Sequence, residues 1–242
     1  DGQLVAEFNT TFGTFFCDLY AEKTPRTVAN FIGLARGTRA WWDARQAEWR
    51  TAPAFQDTQI FRVLPGFLIQ GGDYLDDGTG TVGYNLPAEP HPELSHDRPG
   101  QLCVATTGAN EGGAQWFITD GPAPRLDDDE GQHTIFGQCR PEELVRRLAR
   151  VPQADENRPR TPIIVRDVRI RRVRGGAANA TATPPGYPEG VDPDRLGYEA
   201  SASPTEQNLT ASERAAAVER ESAEREARLR RLRQLREGTA SP

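Results

Sequence analysis

The chain has 242 residues and a formal net charge of −6, enough for one domain of about 150 residues and a large remainder. Hydrophobic residues make up 36%, short of the usual ~45–50%, and the shortfall falls after residue 175, where apolar side chains become sparse. No run approaches the ~20 consecutive apolar residues of a membrane-spanning helix, and the acidic balance excludes a generic nucleic-acid binder. Among 29 basic residues only Lys23 is a Lys. Three Cys (Cys17, Cys103 and Cys139) are too few for a dense disulfide framework, and their pairing stays open. The chain contains no Met, so it reads as starting downstream of an initiator. A trimmed start and a removed signal peptide fit equally well; an exported or periplasmic location is favoured slightly over a cytoplasmic one.

In chain order, Leu4 to Phe8, running on into Thr10–Thr11, and Thr14 to Tyr20 alternate around Gly13 as a hairpin of half-buried strands. A helix follows. Thr24 stands at the N-cap and Pro25 at the first helical position, where its missing N–H costs nothing. Val28, Phe31, Ile32 and Ala35 recur at helical spacing, and Gly37 ends the run. Residues 38–54, with Trp41, Trp42 and Trp49, read as an irregular loop packed by its own aromatics. Strands are expected at Gln59–Val63, Leu68–Gly71, Leu102–Thr106, Trp116–Thr119 and Thr134–Gln138. Pro141 to Leu148 forms a second amphipathic helix with Leu144, Val145 and Leu148 on one face. Ile163 to Val173 is a last strand with Ile164, Val168 and Ile170, or their neighbours, inward and Arg outward. Many short strands with two helices indicate a mainly β fold, a closed barrel with helical plugs.

The composition changes at 175. Residues 175–211 are rich in Gly, Ala, Pro, Ser and Thr and read as a flexible linker after a domain spanning 1–174. Thr210-Ala211-Ser212-Glu213 matches a capping box. From there 212–237 reads as a charged helix with Glu221/Arg225, Glu224/Arg228 and Glu226/Arg230 in i,i+4 register. Leu229, Leu232 and Leu235 are its only sizeable apolar cluster. It is either a solvated helix or an anchor to a protein partner.

Three motifs point to weaker chemistry. Gly78-Thr79-Gly80-Thr81-Val82-Gly83 matches G-x-G-x-x-G, but Tyr84-Asn85-Leu86-Pro87 starts no helix, so a turn-rich loop is favoured over a nucleotide site. Glu89, His91, Glu93 and His96 lie among prolines and read as an exposed loop rather than a metal site. Asp127-Asp128-Asp129-Glu130 lacks calcium-loop spacing and reads as a solvated turn.

A stronger constellation is Phe61-Arg62-Val63-Leu64-Pro65-Gly66-Phe67-Leu68-Ile69-Gln70-Gly71-Gly72-Asp73, followed by Gly112-Gly113-Ala114-Gln115-Trp116-Phe117-Ile118-Thr119 and His133-Thr134-Ile135-Phe136-Gly137. With these three blocks in this order, the sequence resembles the cyclophilin family of peptidyl-prolyl cis–trans isomerases over about residues 3–173. The resemblance implies a closed eight-stranded antiparallel barrel capped by two helices. It also implies isomerisation of X–Pro bonds in proline-containing peptides and unfolded protein clients, assisting folding as a chaperone does, with no cofactor and no metal.

The chemistry suits the residues. An X–Pro bond turns over a barrier of about 18–20 kcal/mol because rotation breaks amide resonance. A donor aimed at the prolyl nitrogen binds the twisted amide better than either planar form, which is the condition for catalysis. The resemblance gives that part to Arg62, whose guanidinium stays charged. By the same resemblance, Gln70 is expected to anchor the peptide backbone and orient Arg62. Phe67, Leu68, Phe117 and Leu126 match the positions of the proline pocket, Leu68 standing where the family usually has Met. Gln115 and His133 match the polar surround and rim. Ala105 and Thr106 match the strand edge that bonds extended peptide, Thr106 standing where Asn is most common. Arg125 replaces a Trp often found beside the pocket, which implies weak binding of cyclosporin. The segment Asp127 to Gln132 is longer than the family's tight Asp-Gly turn, and its acids, Asp127–Glu130, are expected to favour clients with Lys or Arg near the proline. Two other readings are a non-catalytic proline-peptide module and an accessory subunit anchored by its tail.

Overall fold

The computed structural model describes residues 2–106, 112–127 and 133–175. The linker from 176 onward, the 212–237 helix and the acids at 128–130 lie outside the described residues.

Strands β1 (Gln3–Thr10) and β2 (Gly13–Leu19) form the expected hairpin, from Val5↔Asp18 to Thr10↔Gly13. Helix α1 (Pro25–Arg36) ends on Gly37, whose φ of 68° is the left-handed conformation that glycine adopts without strain. Thr24 stands at the N-cap, yet its hydroxyl donates back to the Tyr20 carbonyl at 3.2 Å and caps nothing. The cap comes from Glu89, whose carboxylate accepts the N–H of Arg26 (3.3 Å) and of Thr27 (2.9 Å).

The segment expected to be irregular instead holds a small hairpin, β3 (Trp41–Asp43) and β4 (Glu48–Arg50). Trp42 pairs with Trp49 across it, edge to face at 5.9 Å, while Trp41 buries against Tyr74. Three-residue strands are too short for alternation to register in the sequence.

The main sheet continues through β5 (Thr58–Ile60), β6 (Arg62–Leu64), β7 (Leu68–Gly71), β8 (Gln101–Val104), β9 (Trp116–Thr119), β10 (Ile135–Arg140) and β11 (Ile163–Val173), with α2 (Glu142–Ala149) after β10. Its order is β5-β11-β1-β2-β10-β8-β9-β7-β6. The two ends of this order are neighbours in the chain. β5 pairs with β11, β6 pairs with β7, and Phe61 between them donates its N–H to the Gln70 carbonyl at 3.0 Å. Residues 58–64 are thus one strand broken at Phe61. It turns the nine-stranded order into an eight-stranded antiparallel barrel, as the resemblance implied.

β11 carries a bulge. Asn9 pairs with Asp167 but Thr10 with Val165, leaving Arg166 as the extra residue. The bulge switches side-chain parity, so the inward set is Ile163, Val165 and Val168, with Ile170 packed against them as expected, and Ile164 lies half-buried on the other face. In α2, Leu144, Val145 and Leu148 are buried as expected. A disulfide joins Cys17 to Cys139 directly across β2 and β10, and Cys103 is free and buried.

Period-two alternation divides the apolar residues into two sets. Phe8, Phe15, Val63, Ile69, Leu102, Trp116, Ile118 and Phe136 fill the barrel together with Phe31 of α1. The alternate residues Leu68, Cys103, Phe117 and Ile135 form a separate cluster with Ala123 and Leu126, on the other face of β7, β9, β8 and β10.

Candidate functional site

That second cluster has a polar border on β6 and β7. Arg62 faces Gln70 across the β6–β7 ladder, and Gln70 faces Phe117 across β7–β9. Arg62 Nη1 donates to Gln70 Oε1 at 3.3 Å, and Gln70 Nε2 donates to Gln115 Oε1 at 3.1 Å. Gln115 Nε2 in turn donates to the carbonyls of Gly78 and Gly80, both at 3.1 Å. Gln70 is only 2% exposed, so the row is built into the wall. Its far end is fixed by Asp73, whose carboxylate accepts the N–H of Leu75, Gly78 and Gly80. The glycine-rich motif is therefore a loop folded over an aspartate, with no helix behind it.

Beside this row, Leu68, Phe117 and Leu126 share one apolar cluster, with Phe67 and Ala105 packed against it half-buried. Phe67 sits at the end of the Pro65–Gly66 turn between β6 and β7, closed by its N–H to the Leu64 carbonyl. Gly66 takes a φ of 76° there, which a two-residue reversal after Pro65 demands of a glycine. Asp120, just past β9, holds the turn down: its carboxylate accepts the Gly66 N–H at 2.6 Å and the Arg150 guanidinium at 2.7 Å. Its own N–H donates to the Phe67 carbonyl at 2.8 Å. Burial raises the Asp120 carboxyl above its ordinary range, and the lowering by Gly66 and Arg150 only partly offsets it. The guanidinium of Arg125 lies 4.8 Å over the Phe67 ring.

His133 stands edge-on to Phe117, with ring centroids 5.4 Å apart and planes at 86°, and its Nδ1 donates to the Val104 carbonyl at 3.1 Å. Ala105 donates its N–H to the Gln115 carbonyl at 2.9 Å, so of its two backbone groups only the carbonyl could serve an incoming strand. Thr106 opens onto a small cleft with Leu86, Pro87, Ala88 and Thr134. Every sequence-predicted site residue except Thr106 thus takes part in, or directly borders, the apolar cluster and its polar row. Below it, burial and then the charge of Asp127 push the Cys103 thiol well up.

The 89–96 segment is a loop, exposed or half-exposed except at His96, as expected, but it is tied to the rest of the fold. Glu89 caps α1, Glu93 pairs with Lys23 at 2.8 Å, and the Glu93 N–H meets His91 Nδ1. His96 is 2% exposed, and its ring lies 6.2 Å from that of Phe117 with planes at 20°. Asp127 is exposed at the end of a turn, as expected, and its carboxylate also meets His96. Sequence reasoning missed the roles of Asp73, His96 and Asp120: Asp73 bonds backbone N–H groups two to seven residues on, which no motif marks, and His96 and Asp120 meet a ring and a turn far along the chain.

Comparison with known proteins gives one consistent answer. A family model described as cyclophilin type peptidyl-prolyl cis-trans isomerase/CLD matches residues 5–170. A peptidyl-prolyl cis-trans isomerase B of Streptomyces anulatus is 38% identical over 171 residues, covering 71% of this chain and 95% of the relative. A peptidyl-prolyl cis-trans isomerase A of Mycobacterium tuberculosis is 34% identical over 168 residues, covering 68% and 91%. Among solved structures, a Cryptosporidium parvum cyclophilin type peptidyl-prolyl cis-trans isomerase, crystallised in the presence of the dipeptide Ala-Pro, matches with a TM-score of 0.59 and 27% identity over 70% of this chain and 99% of that one.

Proposed function

This chain belongs to the cyclophilin-type peptidyl-prolyl cis–trans isomerase family, and we propose that Arg62, the Gln70–Gln115 row and the apolar cluster beside them carry its reaction. The observation that supports this most is the alignment of Arg62, Gln70 and Gln115 along one edge of the cluster containing Leu68, Phe117 and Leu126. A proline ring has no donor and suits an apolar, aromatic-lined cup. With the ring seated there, the amide lies within reach of the neighbouring wall and its guanidinium. The prolyl nitrogen gains a lone pair only as the amide twists, so an Arg62 N–H aimed at it stabilises the twisted state selectively. Gln70 keeps Arg62 from swinging away, and the Gly78–Gly80 carbonyls do the same for Gln115. No proton transfer and no nucleophile enters the step.

Proline-containing peptides and unfolded proteins are the clients, and the Ala-Pro dipeptide of the Cryptosporidium relative supports a minimal ligand of that kind. A buried disulfide between Cys17 and Cys139 supports an oxidising compartment. Exchange between the cis and trans forms of an Ala-Pro peptide, followed by NMR, is the test. The uncatalysed process takes roughly 10–100 s, and accelerated exchange is expected. Saturable binding with no acceleration would leave only a proline-peptide module.

A further inference from the structure

We propose that His96 and Asp127 act as a positioning pair that holds Phe117 and the Leu126 wall in place before a proline arrives. This rests on Phe117 and Leu126 being walls of the proline pocket. Phe117 lies between two imidazoles, His133 against its ring edge-on and His96 nearly parallel to it. His133 sits at the half-exposed rim, whereas His96 is buried.

His96 is also the hub of the segment that crosses the pocket. Its carbonyl accepts the Ala123 N–H at 2.7 Å. Its own N–H donates to both oxygens of Asp127, at 3.0 and 3.1 Å. Its Nδ1 lies 2.7 Å from Asp127 Oδ1. A carboxylate only accepts, so Nδ1 is the donor. One residue therefore brackets the single turn Pro124–Asp127 at both ends, and that turn carries Leu126 into the apolar cluster and Arg125 onto Phe67. The ring's Nε2 is buried without a hydrogen-bond partner among the described residues. A side chain kept inside at that cost contributes through its other edge and its face.

The pair's contacts described above, with Ala123 and the Phe117 ring, do not include Arg62 or Gln70, so its effect falls on substrate binding rather than on the twisting step. Isomerase kinetics on an Ala-Pro peptide with the full chain separate these roles. His96→Leu and Asp127→Ala are each expected to raise KM roughly three- to tenfold, the scale of one aromatic contact, with kcat little changed. The double variant should be no worse than the poorer single one, because both break one link. Asp127→Asn should keep KM near that of the unsubstituted protein, since its amide oxygen still accepts both N–H groups. In aromatic NMR spectra, Phe117 should flip faster in His96→Leu. An unchanged KM and an unchanged Phe117 signal in a folded His96→Leu protein, alongside a raised KM in Phe117→Ala, would overturn the positioning role and leave the pocket standing. If Phe117→Ala itself left KM unchanged, the pocket reading would fail first. Should His96→Leu not fold, Asp127→Ala and Asp127→Asn carry the comparison, and equal KM values for those two contradict the proposal.

Discussion

Arg125 lies beside the proposed proline pocket, at the position where the cyclophilin resemblance leads one to look for a Trp. Its guanidinium covers the Phe67 ring at 4.8 Å, where the family often presents an indole. The cluster beneath, proposed as the proline pocket, is apolar, but the side chain next to it carries a charge. Cyclosporin should therefore bind far more weakly than to a Trp-bearing cyclophilin, while proline peptides are still turned over. Calorimetry decides this, and a nanomolar Kd would contradict it. Of the acidic run next to Arg125, Asp127 meets His96, and the acids at 128–130 lie outside the described residues. Arg62, Gln70, Gln115 and Phe117 were legible in the sequence because their blocks are short and contiguous. Asp120 and His96 were not, because an aspartate that holds a turn and a histidine stacked on a phenyl have no local pattern.

At the scale of elements, local signals located α1 but not its cap. Pro25 and Gly37 mark its ends within the chain, whereas the capping carboxylate arrives from Glu89, 63 residues after Arg26. Burial alone would raise the Glu89 carboxyl. The N–H groups of Thr27 and Arg26 and the Arg26 guanidinium outweigh it, so the carboxyl is held below its ordinary value. A group lowered on folding stabilises the fold above the unfolded value of about 4.3, and that stabilisation is lost as the pH falls through the folded value. Glu89→Gln should cost about 0.5–2 kcal/mol near neutral pH, with the gap closing in acid as the carboxylate of the unsubstituted protein is protonated. Urea melts of both proteins at pH 7 and near pH 3.5 test this; a gap that does not change with pH would show that the charge is not what caps the helix. The same contrast between local and distant causes explains the other elements. Leu68–Gly71 and Trp116–Thr119 end where expected because their limits are set by adjacent turns. The inward face of β11 changes at Arg166 because of a bulge dictated by β1.

For the whole molecule, the eight-stranded closure depends on the break at Phe61. The sequence shows a single strand there, and only pairing with β11 on one side and β7 on the other reveals that this strand joins the two ends of the sheet. The family match ends at residue 170, before the polar remainder begins. Removing residues 176–242 should leave activity on short peptides intact and abolish co-purification with any partner of the tail; a truncated domain that still co-purifies would place the anchor in the barrel. The central claim, that one aimed guanidinium lowers the barrier to rotation, is tested most directly by the catalytic efficiency of Arg62→Ala on an Ala-Pro peptide, with its fold checked by circular dichroism. The account predicts a folded protein with kcat/KM reduced by roughly 10²–10³, the scale for losing one positioned donor; a folded variant with unchanged kcat/KM would contradict it.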